Sequence, residues 1–252
     1  MKFTIGNVYG LTLSTVGKAL GPLLGVTLIL SIGIGGVLPV LLRFGLTSAN
    51  VPAAGLVTLI ATLLTYLASA AQWSAVTDIA LTNAANKRIE FGAVLANSAR
   101  NALPVLLIGI LWFLGAFVGW MLLIIPGTIF IVIFIVTVPA YIAEKPGMLN
   151  AFTRSRDLTR GHRWGIFGLN LLTNICLIIV FYAVLFGGVL ASAGGNLAGG
   201  AVPKVGAAAI VIAMLFIAFL NILIPVLNTA LYITLRNEKG DPLTGALEKV
   251  FE

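Results

Sequence analysis

The sequence has very few charged residues for its length. Only 9% of its 252 residues are Asp, Glu, Lys or Arg, whereas a soluble domain carries about 25%. A soluble fold of this size needs a polar exterior, yet 60% of this chain is hydrophobic. The composition therefore excludes a soluble globular protein and predicts an integral membrane protein.

Cysteine and histidine are almost absent. Cys176 is the one cysteine, so an internal disulfide is excluded and the redox compartment stays undetermined. His162 is the one histidine, and the nearby Arg160 and Arg163 would repel a metal cation. The sequence contains no paired carboxylates, no phosphate-binding glycine loop and no dinucleotide fingerprint. We therefore expect no catalytic residues, no metal and no cofactor, and a protein that is not an enzyme.

Long apolar runs between charged segments predict an all-α membrane bundle of about six transmembrane helices, arranged as three hairpins in one domain (1–252). Each crossing needs about 20 apolar residues. We expect amphipathic interfacial helices on the cytoplasmic side, one of them at about 3–19, and a cytoplasmic tail at 236–252. The predicted spans are 20–42, 52–80, 103–123, 127–143, 164–190 and 205–235.

The third and fourth predicted spans meet at "IIPG" (124–127), where no charged loop separates them. Two full crossings joined by a tight turn fit this pattern, and so does a re-entrant pair. The sequence leaves both arrangements open.

Basic residues are distributed unevenly between the two sides of this six-span arrangement. With both termini on one side, that side holds 13 of the 15 Lys and Arg residues, and the other holds Arg43 and Lys204. Positive residues stay on the cytoplasmic side, so we expect both termini there. The N-terminal segment is expected to be retained, because Asn7, Ser14 and Lys18 interrupt the apolar core that a cleaved signal needs.

The segment "AFTRSRDLTRGHRW" (151–164) concentrates charge within the apolar sequence. As one helix, it places Arg156, Arg160 and Arg163 within about 60° of one another. Trp164 follows, and indole rings commonly anchor a span at headgroup level. The pattern predicts an interfacial helix with a basic face. Its other side carries Met148, Ala151, Phe152, Ser155, Leu158, Thr159 and His162.

Two functions fit this basic face. Its arginines either bind an anionic lipid headgroup, with each cation contributing on the order of 1 kcal/mol, or only fix topology and solvate the surface. Asp157 is spaced to pair along the helix with Arg154 and Arg160. Membrane lipid of anionic charge is the expected partner. Nucleic acid is not, because no aromatic platform or binding module accompanies the charge.

The segment "YIAEKPGMLNAFTRSRDLTRGHRWGIFGL" (141–169) resembles a hallmark of the YciC-like family of bacterial membrane proteins, also described as the membrane domain of glycerophosphodiester phosphodiesterases. "FTIGNVYGLTLSTVGKALGPLL", "LLIIPGTIF" and "ALYITLRNEKGDPL" resemble that family's entry helix, Pro-Gly turn and exit segment, in the same order. The resemblance implies a polytopic protein of the bacterial inner membrane with a role in membrane-lipid homeostasis. It carries over no catalytic residues.

Polar residues recur at helical spacing inside three predicted spans. Such groups are costly in lipid, so they should face the bundle interior. They form either a weakly polar path for a solute or lipid headgroup, or hydrogen bonds between helices. The stripes are Thr58, Thr62, Thr65, Ser69 and Gln72 on the second span, Asn170 and Asn174 on the fifth, and Asn221, Asn228 and Tyr232 on the sixth.

Small residues recur at the spacing typical of close helix contact in "GPLLG" (21–25) and "GAFVG" (115–119). A homo-oligomer or a membrane-protein partner is compatible with these motifs, and the oligomeric state stays open. The sequence as a whole favours a non-catalytic inner-membrane protein in membrane organisation or lipid handling. The alternative is a small-solute or lipid transporter that uses the polar stripes.

Overall fold

The computed structural model describes residues 3–47, 54–193 and 207–240, and every element in these ranges is helical. The prediction of an all-α fold is therefore confirmed. In chain order the helices are α1 (Ile5–Lys18), α2 (Leu20–Val26), a π-helical segment (Thr27–Val37), α3 (Leu38–Thr47), α4 (Ala54–Ala84), α5 (Phe91–Leu122), α6 (Ile124–Phe134), α7 (Thr137–Glu144), α8 (Met148–Thr159), α9 (Arg163–Ala193) and α10 (Ala207–Glu238).

Six helical stretches in these ranges are long and apolar enough to cross a membrane. The chain is a multi-pass membrane protein, and the six-span architecture expected from its apolar runs is confirmed. The stretches are Leu20–Phe44, Gly55–Ala84, Phe91–Leu122, Ile124–Glu144, Arg163–Val184 and Ile212–Glu238.

The third span begins earlier than its apolar sequence suggests. We expected position 103, but α5 starts at Phe91 and passes both Arg100 and Pro104 without ending. Helical hydrogen bonds form within the segment itself, so a polar side chain does not end the helix. The apolar sequence begins after Arg100, whereas the helix begins at Phe91, about two and a half turns earlier.

The fourth span, expected as one helix at 127–143, is two helices. α6 ends at Phe134 and α7 begins at Thr137. Val136 has a non-helical backbone conformation (φ −99°, ψ 14°). Pro139 favours the break there, because its ring lacks an N–H and clashes with the carbonyl four residues earlier, at Ile135. The last carbonyls of α6 consequently need partners outside their own helix.

At the turn between α5 and α6, the backbones of the two helices lie very close to each other. A Cβ atom at Gly119 would lie 2.7 Å from the Cα of Gly127, and one at Gly115 would lie 2.2 Å from the ring of Phe130. The backbone reverses at Leu123, which is extended. The "GAFVG" motif therefore makes a contact within the hairpin. In "GPLLG", a Cβ at Gly21 would meet nothing within 4 Å, whereas one at Gly25 would lie 3.2 Å from the ring of Phe91 on α5.

The residues before α1 pack against the start of α9 and the end of α10. The rings of Phe3 and His162 lie 5.3 Å apart, edge to face, and the Phe3 amide donates to Glu238. Glu144 and Arg154 lie at the same end. We call this end of the bundle, marked by Phe3, Glu144, Arg154, His162 and Glu238, the basic end. From there α1 follows α9 inward, because Ile5 approaches Gly168 and Tyr9 reaches Thr173.

Candidate functional site

The predicted basic helix is two helices separated by a turn. α8 ends at Thr159, Arg160 is extended (φ −63°, ψ 126°), Gly161 has a φ of 97°, and α9 begins at Arg163. The prediction that Arg156, Arg160 and Arg163 share one helical face is therefore wrong. A glycine in the left-handed region just beyond a helix is a common stop signal. Gly161 supplied that signal in the sequence.

The three arginines are all exposed. Within the described part of the chain, the guanidinium groups of Arg156, Arg160 and Arg163 have no hydrogen bond or ion pair. Trp164, at the start of α9, is 87% exposed. The basic segment thus presents three unneutralised cations and an indole ring, contributed by the end of α8, the turn and the start of α9.

The other side of α8 packs onto the break in the fourth span. Ala151, Ser155, Leu158 and Thr159 are buried. The hydroxyl group of Ser155 donates to the carbonyl of Ile133 at 2.9 Å. The hydroxyl group of Thr159 lies 3.2 Å from the same carbonyl and 3.2 Å from the Arg156 carbonyl of its own helix, so its one hydrogen is shared between them. The Ile133 carbonyl lies in the last turn of α6, where regular helical partners run out. The hydroxyls of α8 therefore satisfy a backbone group that the proline break leaves open.

A cluster of charged and phenolic side chains joins α7, α8 and α10 at the basic end. The carboxylate of Glu144 accepts from Arg154 Nε at 2.8 Å and from the Tyr232 hydroxyl at 2.7 Å. Arg236 donates to the Tyr232 oxygen at 2.9 Å and lies 3.8 Å from the same carboxylate. The Arg236 side chain is 2% exposed. One carboxylate thus faces two guanidinium groups and one phenol.

This cluster was missed by the sequence analysis. Asp157 was expected to pair with Arg154 and Arg160, and the ion pair between Arg154 and Glu144 was not predicted. Tyr232 was assigned to a polar stripe on the sixth span, and the sequence did not identify the residue that it contacts. Periodicity within one helix could not reveal the cluster, because its members come from three helices that are far apart in the chain.

A second polar junction joins the N-terminal helix to the turn before α9. The Nε2 atom of His162 lies 3.3 Å from Glu238 Oε1, while the amide of Phe3 donates to Oε2 at 2.9 Å. Lys239 contacts the backbone carbonyl of Asp157. His162 is therefore part of a structural junction between α1 and α10, in contrast to the isolated histidine of the sequence pattern.

The polar stripe of α4 divides into buried and exposed members. Thr65 donates to the Gly35 carbonyl at 3.0 Å, and Gln72 donates to Thr27 at 3.3 Å, so both bridge to the π-helical segment. Thr58 and Ser69 are exposed. The expectation that the whole stripe faces other helices is therefore wrong for these two positions.

The middle of the α4 stripe borders a cleft of about 380 Å³ against the first span. Thr62 and Thr65 line it from α4, and Gly35, Gly36 and Arg43 line it from the π-helical segment and α3. Arg43 donates to the Thr62 hydroxyl at 3.3 Å.

The stripes of the fifth and sixth spans face each other. Asn170 and Asn174 of α9 and Asn228 of α10 line one cavity of about 130 Å³, together with Thr173. The hydroxyl groups of Thr173 and Tyr9 lie 2.6 Å apart. The structure therefore brings together three amides that the sequence placed on separate helices.

The remaining polar residue of the sixth span lies apart from this cavity. Asn221 is half-buried and donates to the Ile217 carbonyl of its own helix at 2.9 Å. It does not line the cavity formed with α9. Asn228, one turn beyond Pro225, is the stripe member that faces α9.

Within the described ranges, no three His, Cys, Asp or Glu side chains come together as a group that could hold a metal ion. The most concentrated set of titratable groups is the Glu144 cluster, whose single carboxylate is occupied by Arg154 and Tyr232.

Comparison with known proteins gives no further constraint on the site. No protein-family model matches this chain, and no curated protein or solved structure matches it either.

Proposed function

We propose that this multi-pass protein is a non-catalytic component of a bacterial inner membrane that holds anionic phospholipid at its basic end. Arg156, Arg160 and Arg163 are the proposed headgroup ligands, and Trp164 is the proposed interfacial anchor. In this proposal the basic end and both termini face the cytoplasm, as the distribution of Lys and Arg residues suggests. The proposed role is membrane organisation or lipid-related homeostasis.

The contrast between two groups of arginines supports this proposal best. Arg154 and Arg236 are drawn into the bundle, where Glu144 compensates their charge. Arg156, Arg160 and Arg163, close by in sequence, are exposed and have no anionic partner in the described residues. A cation that is needed only for folding would be expected to have the kind of partner that Arg154 has.

Guanidinium chemistry favours phosphate as the ligand. Arginine presents a planar fork that can donate two parallel hydrogen bonds to a phosphate, which an ammonium group cannot reproduce. Each cation near an anionic leaflet adds on the order of 1 kcal/mol of attraction. The turn at Arg160 and Gly161 distributes the three side chains around a corner of the basic end. Such a corner suits a headgroup better than a flat protein partner.

Replacing the three arginines by lysine tests the proposal. The variant Arg156→Lys/Arg160→Lys/Arg163→Lys keeps the charge but removes the forked hydrogen bonding. Native mass spectrometry of detergent-released protein should show less retained phospholipid than the parent protein.

The matched control is Arg88→Lys/Arg100→Lys, which changes two exposed arginines elsewhere in the chain. We expect it to retain lipid like the parent. If the triple lysine variant retains as much phospholipid as the parent and this control, the arginines only set orientation, and the proposal fails.

A second candidate function is transport of a small solute or lipid. The amide-lined cavity between α9 and α10 favours it, because three uncharged hydrogen-bonding side chains converge between these two helices. Proteoliposomes containing the parent protein should then swell faster in a gradient of a neutral solute such as glycerol than protein-free vesicles do. Equal swelling rates would exclude this candidate for that solute.

A further inference from the structure

The cavity between α9 and α10 is lined by uncharged polar and apolar residues. Its polar lining consists of Asn170, Thr173, Asn174 and Asn228, and no charged residue lines it. Leu177 and Leu227 supply apolar walls. Small-molecule sites commonly have this arrangement, in which a mostly apolar concavity carries a few convergent polar groups.

Asn228 gives the strongest indication of a ligand. Its residue surface is only 8% exposed, and no hydrogen bond joins its amide to another described residue. The amide atoms are not fully buried, since they border the cavity. An amide on a mostly buried residue that makes no hydrogen bond is costly, and native structures nearly always satisfy such groups. The amide of Asn228 lines the cavity, so a molecule held there is its available partner.

The other polar side chains of the cavity have only some of their hydrogen-bond donors and acceptors paired within the protein. Asn174 donates to the backbone carbonyl of Asn170 at 2.8 Å and also to that residue's side-chain oxygen. This leaves the Asn174 oxygen as an acceptor and the Asn170 amide as a donor. Thr173 donates to the Leu169 carbonyl at 2.7 Å and is held on its other side by Tyr9. With Asn228, the cavity therefore offers at least two donors and two acceptors.

The position of the cavity argues against a phospholipid phosphate as occupant. Asn170 and Asn174 lie about 10 and 16 Å along α9 from Arg163, at 1.5 Å per residue. Asn228 lies about 15 Å before the end of α10 by the same measure. A charged headgroup at that depth would have no cation in the lining to compensate it. A neutral hydrogen-bonding molecule does not need a compensating cation in the lining.

We infer that this cavity is a binding site for a small neutral solute bearing hydroxyl or amide groups, held chiefly by Asn228 with Asn170 and Asn174. The cavity volume of about 130 Å³ corresponds to roughly four waters in the liquid, which limits the ligand to a few heavy atoms. Asn174 is exposed and marks the side from which the site is reached. The inference does not depend on lipid contact at the arginines.

Ligand-observed saturation-transfer NMR with glycerol as the probe tests the site on the full-length protein in glycerol-free detergent solution. The parent should transfer saturation to glycerol. Asn228→Leu replaces the amide with an apolar group of similar size and should weaken binding by about tenfold, the equivalent of one lost buried hydrogen-bonding group. The matched control is Asn221→Leu, which removes an amide from the same helix outside the cavity. It should bind glycerol like the parent.

A second variant keeps the test decisive if Asn228→Leu does not fold. Leu177→Phe fills the cavity while leaving every amide in place, and it should also abolish the transfer. The site is overturned if the parent shows no transfer, since the cavity then holds water at most. It is equally overturned if Asn221→Leu loses the signal as fully as Asn228→Leu, or if Leu177→Phe retains it.

Discussion

Tyr232 donates its phenolic hydrogen to Glu144 across 2.7 Å, although 88 residues separate them in the chain. Tyr232 is completely buried, and its oxygen also accepts from Arg236 at 2.9 Å. The phenol therefore relays hydrogen bonding between a carboxylate at the end of α7 and a buried guanidinium on α10. Through Arg154, the same carboxylate reaches α8. This cluster connects the segment carrying the exposed arginines to the last span.

Removing the phenolic hydroxyl should loosen this connection. In Tyr232→Phe, both the Arg236 donor and the Glu144 acceptor lose a buried partner, so we expect a loss of about 1–3 kcal/mol in the free energy of unfolding. Thermal melting in detergent measures the effect. Tyr182→Phe is the matched control, because Tyr182 is 54% exposed on α9, and its melting temperature should stay at the parent value. Equal melting temperatures for both variants would show that the relay contributes no stability.

Neutralising the carboxylate should cost more than removing the phenol. Glu144→Gln leaves Arg236 buried beside a neutral amide, and breaking a buried ion pair typically costs about 3–5 kcal/mol. Arg236→Met in the Glu144→Gln background should recover part of that loss, because the guanidinium group that faced the carboxylate is then removed as well. Melting of the two single variants and the double variant gives the coupling. Strictly additive losses would contradict a direct interaction.

The hydroxyl groups on the buried side of α8 should stabilise its docking. Ser155→Ala/Thr159→Val removes both donors to the Ile133 carbonyl, and a buried carbonyl left without a partner costs about 1–3 kcal/mol. We expect a lower melting temperature and faster proteolysis near α8. Ser14→Ala/Thr128→Val removes two exposed hydroxyls that bond only within their own helices. This control should behave as the parent does, and similar destabilisation of both proteins would contradict a specific role for Ile133.

A methyl group at the α5–α6 turn should force the hairpin apart. In Gly119→Ala the new Cβ would lie 2.7 Å from the backbone Cα of Gly127, and overpacking of this kind typically costs about 1–3 kcal/mol. Gly109→Ala on the same helix meets nothing within 4 Å. It should be neutral or stabilising by up to about 1 kcal/mol, because alanine is the better helix former. Thermal melting in detergent measures both. The close contact is refuted if Gly119→Ala melts no lower than Gly109→Ala.

The sidedness inferred from basic residues is tested by single-cysteine labelling. On a Cys176→Ala background, Arg88→Cys and Arg156→Cys should be protected from an impermeant thiol reagent added outside intact cells, while Lys204→Cys should react. Asymmetry in the distribution of Lys and Arg residues is the physical basis of this expectation. External labelling at position 88 or 156 would contradict the proposed orientation.

The sequence by itself determined the class of fold and the number of spans. Hydropathy is a local property of the sequence, and a helix needs about 20 consecutive apolar residues to cross the bilayer core. Six apolar stretches were therefore recognisable from composition alone. Helix boundaries were less accessible, because α5 extends past Arg100 and the fourth span breaks before Pro139. Polar residues in the sequence indicate where a span leaves the lipid, whereas backbone sterics determine where the helix itself ends.

Only the tertiary structure decided which polar groups meet. Helical periodicity compares residues within one helix, so it grouped Arg156, Arg160 and Arg163 on a face that the turn at Gly161 disrupts. It also could not place Tyr232 beside Glu144, since hydrogen bonds between helices depend on how distant segments pack. Long-range packing carries no local signature in the chain. The partners of each buried polar group were therefore fixed only when the helices came together.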